Sequence, residues 1–371
     1  MPDLQRPGWA RRIRALRDRC AQRDFAAFVV SHPVNLRYLT GFTGSAGLLV
    51  CTPQQLAFVT DGRYEAAVKA AVAEEAIADV EVVRVEQHYE WTLGGLLTQR
   101  GLTRVGFEAG HVTVATLDAW RRAAPAVEWG ATEHVVEAMR AVKDSEEIAT
   151  FRKAGAMLSG VARRLSEWVQ AGRTERSVAR DIEAGLESAG FSGPSFETIV
   201  ASGPNSAHPH ARPGGRRLAP GDLVVLDFGG VLDGYCVDLT RMARIGEVGP
   251  QGQSLLAGVR AAHAAAIAAV RPGVLGADVD RAAREALEAR GLGEAFLHGT
   301  GHGLGLEVHE APRVSKSGTG ETNRLEPGSV ITIEPGAYVQ GVGGVRLEDD
   351  VLVTENGCEL LTDAPLDAVA R

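Results

Sequence analysis

The chain has 371 residues, 45% hydrophobic and 23% charged, so it is long enough to bury two sizeable cores and is neither disordered nor fibrous in composition. Its 47 acidic residues against 39 basic ones give a formal charge of −8, which repels a phosphate backbone and argues against a nucleic-acid partner. Cys20, Cys51, Cys236 and Cys358 show no C-x-x-C spacing, so neither a disulfide framework nor a thiolate zinc site is expected, and a reducing cytoplasm suits them.

The basic N-terminal stretch, residues 1–20, lacks the continuous apolar run of a signal peptide. Strands are predicted at FAAFVVS (25–31) and VEVVRV (80–85), a helix over 63–76, and a hairpin between Leu48 and Thr60 around the turn-forming TPQQ. Their alternation reads as an α/β domain. From Glu133 to Ala189 the residues favour amphipathic helices, one with an acidic start at Asp144, which puts the boundary near 135–145 and the domains at 1–138 and 139–371. Strands follow at 223–230 and 234–241, then a helical pair (253–270 and 277–290), then strands over 329–339 and 343–354. The Ala-rich run 261–270 is too short to span a bilayer, so no membrane association is expected. Helix pair followed by strands occurs twice, a hint of a duplicated half.

LVVLDFGG places Asp227 at the end of an apolar strand, and GYCVDLTR places Asp238 in the next strand, beyond a turn at Asp233 and Gly234. Antiparallel strands joined in this way can bring both carboxylates to one face, although either aspartate alone reads better as a strand end or a turn cap, by roughly two to one. VITIEPG ends a β-branched run on Glu334, a carboxylate that is costly to bury without a partner. GGVRLEDD sets Arg346 and Glu348 two apart, hence on one face of a strand, with Asp349 and Asp350 read as a solvated edge. Four converging carboxylates would repel one another, and two divalent cations would neutralise them formally. Carboxylates with a single imidazole favour Mn²⁺, Fe²⁺, Co²⁺ or Zn²⁺.

HGTGHGLGLEVHE (298–310) offers three imidazoles, His298, His302 and His309. It fits neither H-E-x-x-H nor G-x-G-x-x-G, and its glycines are expected to allow a ligand close to the backbone.

LDFGG, CVDLTR, HGTGHGLGLEVHE, ITIEPGAY and GVRLEDD occur in the order found in the pita-bread metallopeptidases, and from about residue 145 onward the chain resembles their Xaa-Pro members, aminopeptidase P and prolidase. The resemblance implies an α+β protein, with an N-terminal creatinase-type α/β domain followed by a C-terminal pita-bread catalytic domain with a curved antiparallel sheet. It implies Asp227, Asp238, His302, Glu334 and Glu348 as ligands of two divalent metal ions, Mn²⁺ foremost, with Asp238 and Glu348 bridging. It also implies a catalytic set of His210, His309, Glu334 and Arg346. In that set His210, from ASGPNSAHPHARPG, contacts the scissile peptide and His309 stabilises the tetrahedral intermediate. Glu334 takes the proton of a metal-bridging hydroxide that attacks the carbonyl before proline, while Arg346 holds its neighbours. His298 would wall the proline pocket, Tyr338 would stand near the site, and Arg313 would bind the free carboxylate of a dipeptide. His208 departs from the family, which has an apolar residue there, and reads as a surface histidine.

GFTGSAG (41–47) and TDGRY (60–64) are most similar to aminopeptidase P, whereas Arg313 is similar to a prolidase residue, so the preferred peptide length stays open. The expected protein is a cytoplasmic homodimer acting on proline-containing peptides. A non-catalytic binding protein of the same fold is the rival reading, and the presence of all five ligand positions weighs against it. Creatinase would not need the carboxylates, and methionine aminopeptidase normally lacks an N-terminal domain of this size.

Overall fold

The computed structural model describes residues 8–370, with side chains as far as 367. Of the N-terminal stretch, residues 1–7 lie outside that range and the following residues form the helix Trp9–Ala21. The chain divides into two compact units, one ending at Arg140 and the other beginning at Ala141. Among the described residues no helix is long and apolar enough to cross a membrane, and all four cysteines are free thiols.

The first unit is a mixed six-stranded sheet made of β1 (Ala27–Val30), β2 (Leu48–Cys51), β3 (Leu56–Asp61), β4 (Glu81–Val85), β5 (Arg104–Glu108) and β6 (Glu128–Thr132), in the order β4-β3-β2-β1-β5-β6. The β2–β3 hairpin is antiparallel, and its turn is tied by the Thr52 hydroxyl, which accepts from the Gln55 amide at 2.9 Å. All four residues of β1 are buried, as a strand covered on both faces requires. Leu93 and Leu97 of helix Tyr89–Gln99 and Trp120 of helix Val114–Ala123 pack on Val29, Val50, Val59 and Phe107 of the sheet.

The second unit starts with helices Ser145–Ala162 and Glu175–Ala189; the first opens on a capping box in which Asp144 and Glu147 each accept the other's main-chain N–H. Next come β7 (Ile199–Ser202), β8 (Leu223–Leu232) and β9 (Tyr235–Ile245), then helices Pro250–Ala269 and Gly276–Glu288. The remaining strands are β10 (Gly301–Gly303), β11 (Glu310–Val314), β12 (Val330–Ile333), β13 (Gly336–Val339), β14 (Gly343–Arg346), β15 (Asp349–Thr354), β16 (Gly357–Leu360) and β17 (Asp367–Ala370). They form a sheet β17-β9-β8-β7, a sheet β11-β10-β12-β15-β16 and a ribbon β13-β14, antiparallel except where β17 joins β9.

β8 and β9 turn through Asp233 (φ 49°) and Gly234 (φ 83°), a two-residue turn with both central residues left-handed, whose twist matches that of the flanking strands. This fixes the register that pairs Asp227 with Thr240 and Gly229 with Asp238. Along β8, Val224, Leu226 and Phe228 belong to one hydrophobic cluster, whereas Leu223 and Val225 belong to the other, with Val259, Val279 and Ile331. Alternation therefore continues the row Leu223, Val225 directly into Asp227.

Two predicted strands prove to be interrupted. The run 329–339 breaks after Ile333 and resumes as β13 in a different sheet, with Glu334 in the gap and Pro335, which has no N–H for a ladder, beside it. The run 343–354 breaks at Leu347 and Glu348, so Arg346 and Glu348 do not share one regular strand face.

The duplication hinted at by element order extends to individual hydrogen bonds. RLAPGDLVVLD (217–227) and RLEPGSVITIE (324–334) align without a gap, Asp227 against Glu334. Thr174 bridges to Arg217 and Leu275 to Arg324; the Gly172 amide donates to the Leu218 carbonyl at 2.8 Å, as that of Gly273 does to Leu325. The Ala219 amide donates to the Asp222 carboxylate, and the Glu326 amide, at the matching position, to the Ser329 hydroxyl.

Gly301 and Gly303 of HGTGHGLG serve strand packing. A Cβ on Gly301 would lie 2.0 Å from the Thr332 carbonyl oxygen, and one on Gly303 would lie 2.2 Å from that of Ala311. Gly301→Ala should therefore lower stability by about 1–3 kcal/mol, the usual penalty of overpacking, read as a drop in the urea midpoint. An unchanged midpoint would contradict the close approach.

Candidate functional site

The register of the β8–β9 hairpin puts Asp227 and Asp238 on one face, diagonal to each other, with Thr240 directly opposite Asp227. Asp227, Asp238 and Glu348 are buried, and each keeps one carboxylate oxygen without a hydrogen-bond partner among the described residues: Asp227 Oδ1, Asp238 Oδ1 and Glu348 Oε1. Two of these side chains are oriented through their other oxygen. Asp227 Oδ2 pairs with Arg346, and Glu348 Oε2 accepts from the Thr240 hydroxyl at 2.7 Å. Asp238 is fixed through its main chain, whose N–H donates to Asp350 Oδ2 at 3.1 Å. Ligand-capable atoms of Asp238, His302 and Glu348 all lie within 4.8 Å of one another.

His302 sits on β10 with Nδ1 3.1 Å from the Gly303 carbonyl oxygen. A carbonyl can only accept, so Nδ1 carries the proton and Nε2 keeps a lone pair. That Nε2 is 3.4 Å from Glu334 Oε1, and the Thr332 hydroxyl is a further 3.4 Å neighbour of the same oxygen.

Burial, and then the charges of Glu348 and Asp227, push the Asp238 carboxyl well above the usual carboxylate range. Burial and then Glu334 and Asp227 do the same to Glu348, and burial also raises Glu334. Burial lowers the pKa of His302, which favours the neutral ring. Carboxylates with unpartnered oxygens around an imidazole lone pair are the donor set of a divalent cation, whose charge would offset the repulsion. The residues therefore fit the metals expected of them.

Around this centre, buried Arg346 donates to four groups: Asp227, the Thr240 hydroxyl (3.1 Å), the Tyr338 hydroxyl (2.9 Å) and the Pro209 carbonyl (3.2 Å). Tyr338 passes the chain on to His298 Nε2 at 2.9 Å, and His298 Nδ1 ends it on the Gly299 carbonyl at 2.8 Å. Burial pushes the Tyr338 phenol up to about 12, so it remains a donor. His309 is exposed, its ring edge-on to His302 with centroids 4.3 Å apart. His210 is also exposed, and burial is the main cause that lowers the pKa of His298 and His309, with His210 a minor one. His208 is exposed as well. Arg313 stands exposed on β11, the strand next to that of His302, and its guanidinium makes no hydrogen bond or ion pair among the described residues.

Asp349 and Asp350 are not a solvated edge. β15 lies between β12 and β16, so both carboxylates are buried and find partners inside. Asp349 pairs with Arg241 (2.6 Å) and His263 (3.1 Å), while Asp350 accepts from Asp238. Sequence reasoning missed Thr240, which bonds to both Arg346 and Glu348. Its signal was the position two residues past Asp238, in the same strand row.

The model of metallopeptidase family M24 matches residues 149–355, and that of the creatinase/prolidase N-terminal domain matches residues 12–142. An uncharacterized peptidase of Bacillus subtilis, YqhT, is 36% identical over 96% of this chain and 99% of its own. Among solved structures, an Xaa-Pro dipeptidase from Bacillus anthracis superposes with a TM-score of 0.92 at 30% identity, covering 98% of this chain and 100% of the other. An X-Pro aminopeptidase from Thermotoga maritima gives a TM-score of 0.85 at 31% identity, covering 95% and 99%.

The raised carboxyls have a consequence for pH. A carboxyl whose folded-state pKa lies above its unfolded value binds more protons when folded. Its contribution to stability is full below the unfolded value, about 4, and is lost as pH rises through the raised one. For Asp238 and Glu348 the loss should fall on chelated protein and be removed by bound cations. The gap in unfolding midpoint between metal-loaded and chelated protein is expected to widen as pH increases from about 4.5 to neutrality. A constant or narrowing gap would show that these carboxyls are not the metal ligands.

Proposed function

The chain belongs to metallopeptidase family M24, and from that premise we propose that it is a two-metal Xaa-Pro peptidase that accepts dipeptides. The observation that carries this reading is the convergence of Asp238, His302 and Glu348 within 4.8 Å, with buried carboxylate oxygens that no other group satisfies. Asp227, Asp238, His302, Glu334 and Glu348 would hold the ions, manganese being the expected metal. When bound, the ions would activate water as the nucleophile and polarise the scissile carbonyl.

The protein's own groups then divide the remaining work. Glu334 takes up the proton of the attacking water at its carboxylate. His309, exposed beside His302, donates a hydrogen bond to the oxygen on which charge develops. His210 contacts the peptide being cleaved, and His298 with Tyr338 walls the pocket for the proline ring. Arg346 is committed to Asp227, Thr240, Tyr338 and Pro209, so its part is to hold them in place.

Arg313 supports dipeptides as substrates, because an exposed guanidinium without an internal partner is free to bind a carboxylate. The motifs similar to aminopeptidase P carry less weight. GFTGSAG and TDGRY meet each other within the first unit, the Ser45 and Tyr64 hydroxyls lying 2.8 Å apart, so a structural pairing accounts for both.

The test compares kcat/KM for an Xaa-Pro dipeptide and an Xaa-Pro tripeptide, with Mn²⁺ content measured alongside. Arg313→Ala should lower the dipeptide value about ten- to a hundred-fold and leave the tripeptide unchanged, as expected for a lost hydrogen bond to a charged group. An unchanged ratio removes the dipeptide assignment. His309→Ala should lower kcat roughly a hundred-fold with bound metal unaltered, the size of a lost oxyanion donor. Parallel loss of metal would instead make His309 a ligand.

A further inference from the structure

Helix Gly276–Glu288 carries an ion pair one turn long between half-buried Arg284 and buried Asp280, in which Arg284 Nε is 2.7 Å from Asp280 Oδ2. Both residues also reach the segment that leads into the histidine motif. Asp280 Oδ1 accepts from the Thr300 amide (3.0 Å) and the Thr300 hydroxyl (2.9 Å). Arg284 donates to the His298 carbonyl at 2.5 Å and to the Phe296 carbonyl at 3.3 Å. Its guanidinium also lies over the Phe296 ring, 4.3 Å from the centroid, and that ring meets the His298 imidazole edge-on at 5.2 Å. His298 is thus held at its carbonyl and on one ring flank by groups that Arg284 fixes, and at Nε2 by Tyr338.

The other half of the duplication has a similar device. Fully buried Glu175 on helix Glu175–Ala189 accepts from the amides of Ser202 (2.8 Å) and Gly214 (3.1 Å), which close off the two ends of the segment bearing His210. Asp280 and Glu175 are not at equivalent positions in the aligned halves, so each helix achieves the grip with different residues.

We propose that Arg284, held by Asp280, is a positioning residue for His298 and so sets the shape of the pocket that receives proline. This rests on the reading of His298 as the wall of that pocket. A planar guanidinium is required, because it must meet a carboxylate, two carbonyls and an aromatic face at once; a lysine ammonium can keep the charge but not the four contacts.

The test uses the full-length protein, Arg284→Lys, and the double variant D280N/R284M, which removes the pair without leaving a lone buried charge. The first readout is the ¹⁵N–¹H spectrum of the histidine side chains, in which wild-type His298 should show a protonated Nδ1 and an accepting Nε2. Both variants should lose or shift that signature while the His302 signature stays. The second readout is selectivity, the kcat/KM ratio of an Xaa-Pro to an Xaa-Ala dipeptide. It should fall about ten- to a hundred-fold with bound Mn²⁺ unchanged, in line with the effect of small misplacements made away from the reacting atoms. In a His298→Ala background, Arg284→Lys should add nothing further. An unaltered His298 signal, an effect that adds to that of His298→Ala, or loss of metal in step with activity would overturn the proposal. If the wild type cleaves no Xaa-Pro peptide, the functional reading fails, and the spectra alone still decide whether Arg284 positions His298.

Discussion

Repulsion among Asp227, Asp238, Glu334 and Glu348 is the constraint around which the catalytic unit is arranged. Arg346 brings one positive charge to the four, and it spends its donors on Asp227, Thr240, Tyr338 and Pro209, leaving Asp238 and Glu348 with carboxyls pushed well above their ordinary range. Removing water from such a cluster costs more than local hydrogen bonds return, so the free oxygens call for cations. The surrounding polar groups turn each acid toward the centre and do not cancel its charge. Thr240 holds one oxygen of Glu348, Arg346 holds one of Asp227, and Asp350 fixes the main chain of Asp238.

The internal duplication explains where these acids come from. Each half contributes a pair of helices, a tight turn and an apolar strand segment that leads into a carboxylate, and the gapless alignment of 217–227 with 324–334 places Asp227 and Glu334 at the same step. The halves differ in how the backbone presents the acid. β8 and β9 continue past Asp227 and Asp238, whereas Glu334 and Glu348 occupy breaks between β12 and β13 and between β14 and β15. A break frees the residue from strict alternation, so a carboxylate there is aimed by what lies around it, Thr332 for Glu334 and Thr240 for Glu348.

This difference also decides what could be read from the sequence. Asp227 and Asp238 were legible because the Asp233-Gly234 turn fixes the register, and period two then fixes the face. The two interruptions were read through because each run resumes with β-forming residues, Tyr338 and Val339 after the first and Val351, Leu352 and Val353 after the second; Pro335 was the one local signal, and the sheet assignment otherwise separates them. Asp349 and Asp350 were misread for a related reason. Two adjacent aspartates resemble a solvated edge until β16 covers the strand and Arg241 and His263 supply the partners. In the first unit the β2–β3 hairpin and the flanking strands followed from turn residues and β-branched runs, without reference to any site.

The three histidines of HGTGHGLGLEVHE show why spacing alone could not assign their roles. His298 and His302 each donate Nδ1 to a neighbouring carbonyl, which frees Nε2 in both, yet the two free atoms meet opposite chemistry. His298 Nε2 meets the Tyr338 hydroxyl, a donor that satisfies the lone pair and removes it from metal binding. His302 Nε2 faces Glu334 Oε1 at 3.4 Å, and in its ionised form that carboxylate is an acceptor that cannot satisfy a lone pair. His309 shares the His302 ring face but remains in solvent, where it can turn toward a substrate. The surroundings of the His298 and His302 rings are therefore set by the partner across from each, and those partners come from the 331–338 segment of the second half, more than thirty residues away in sequence.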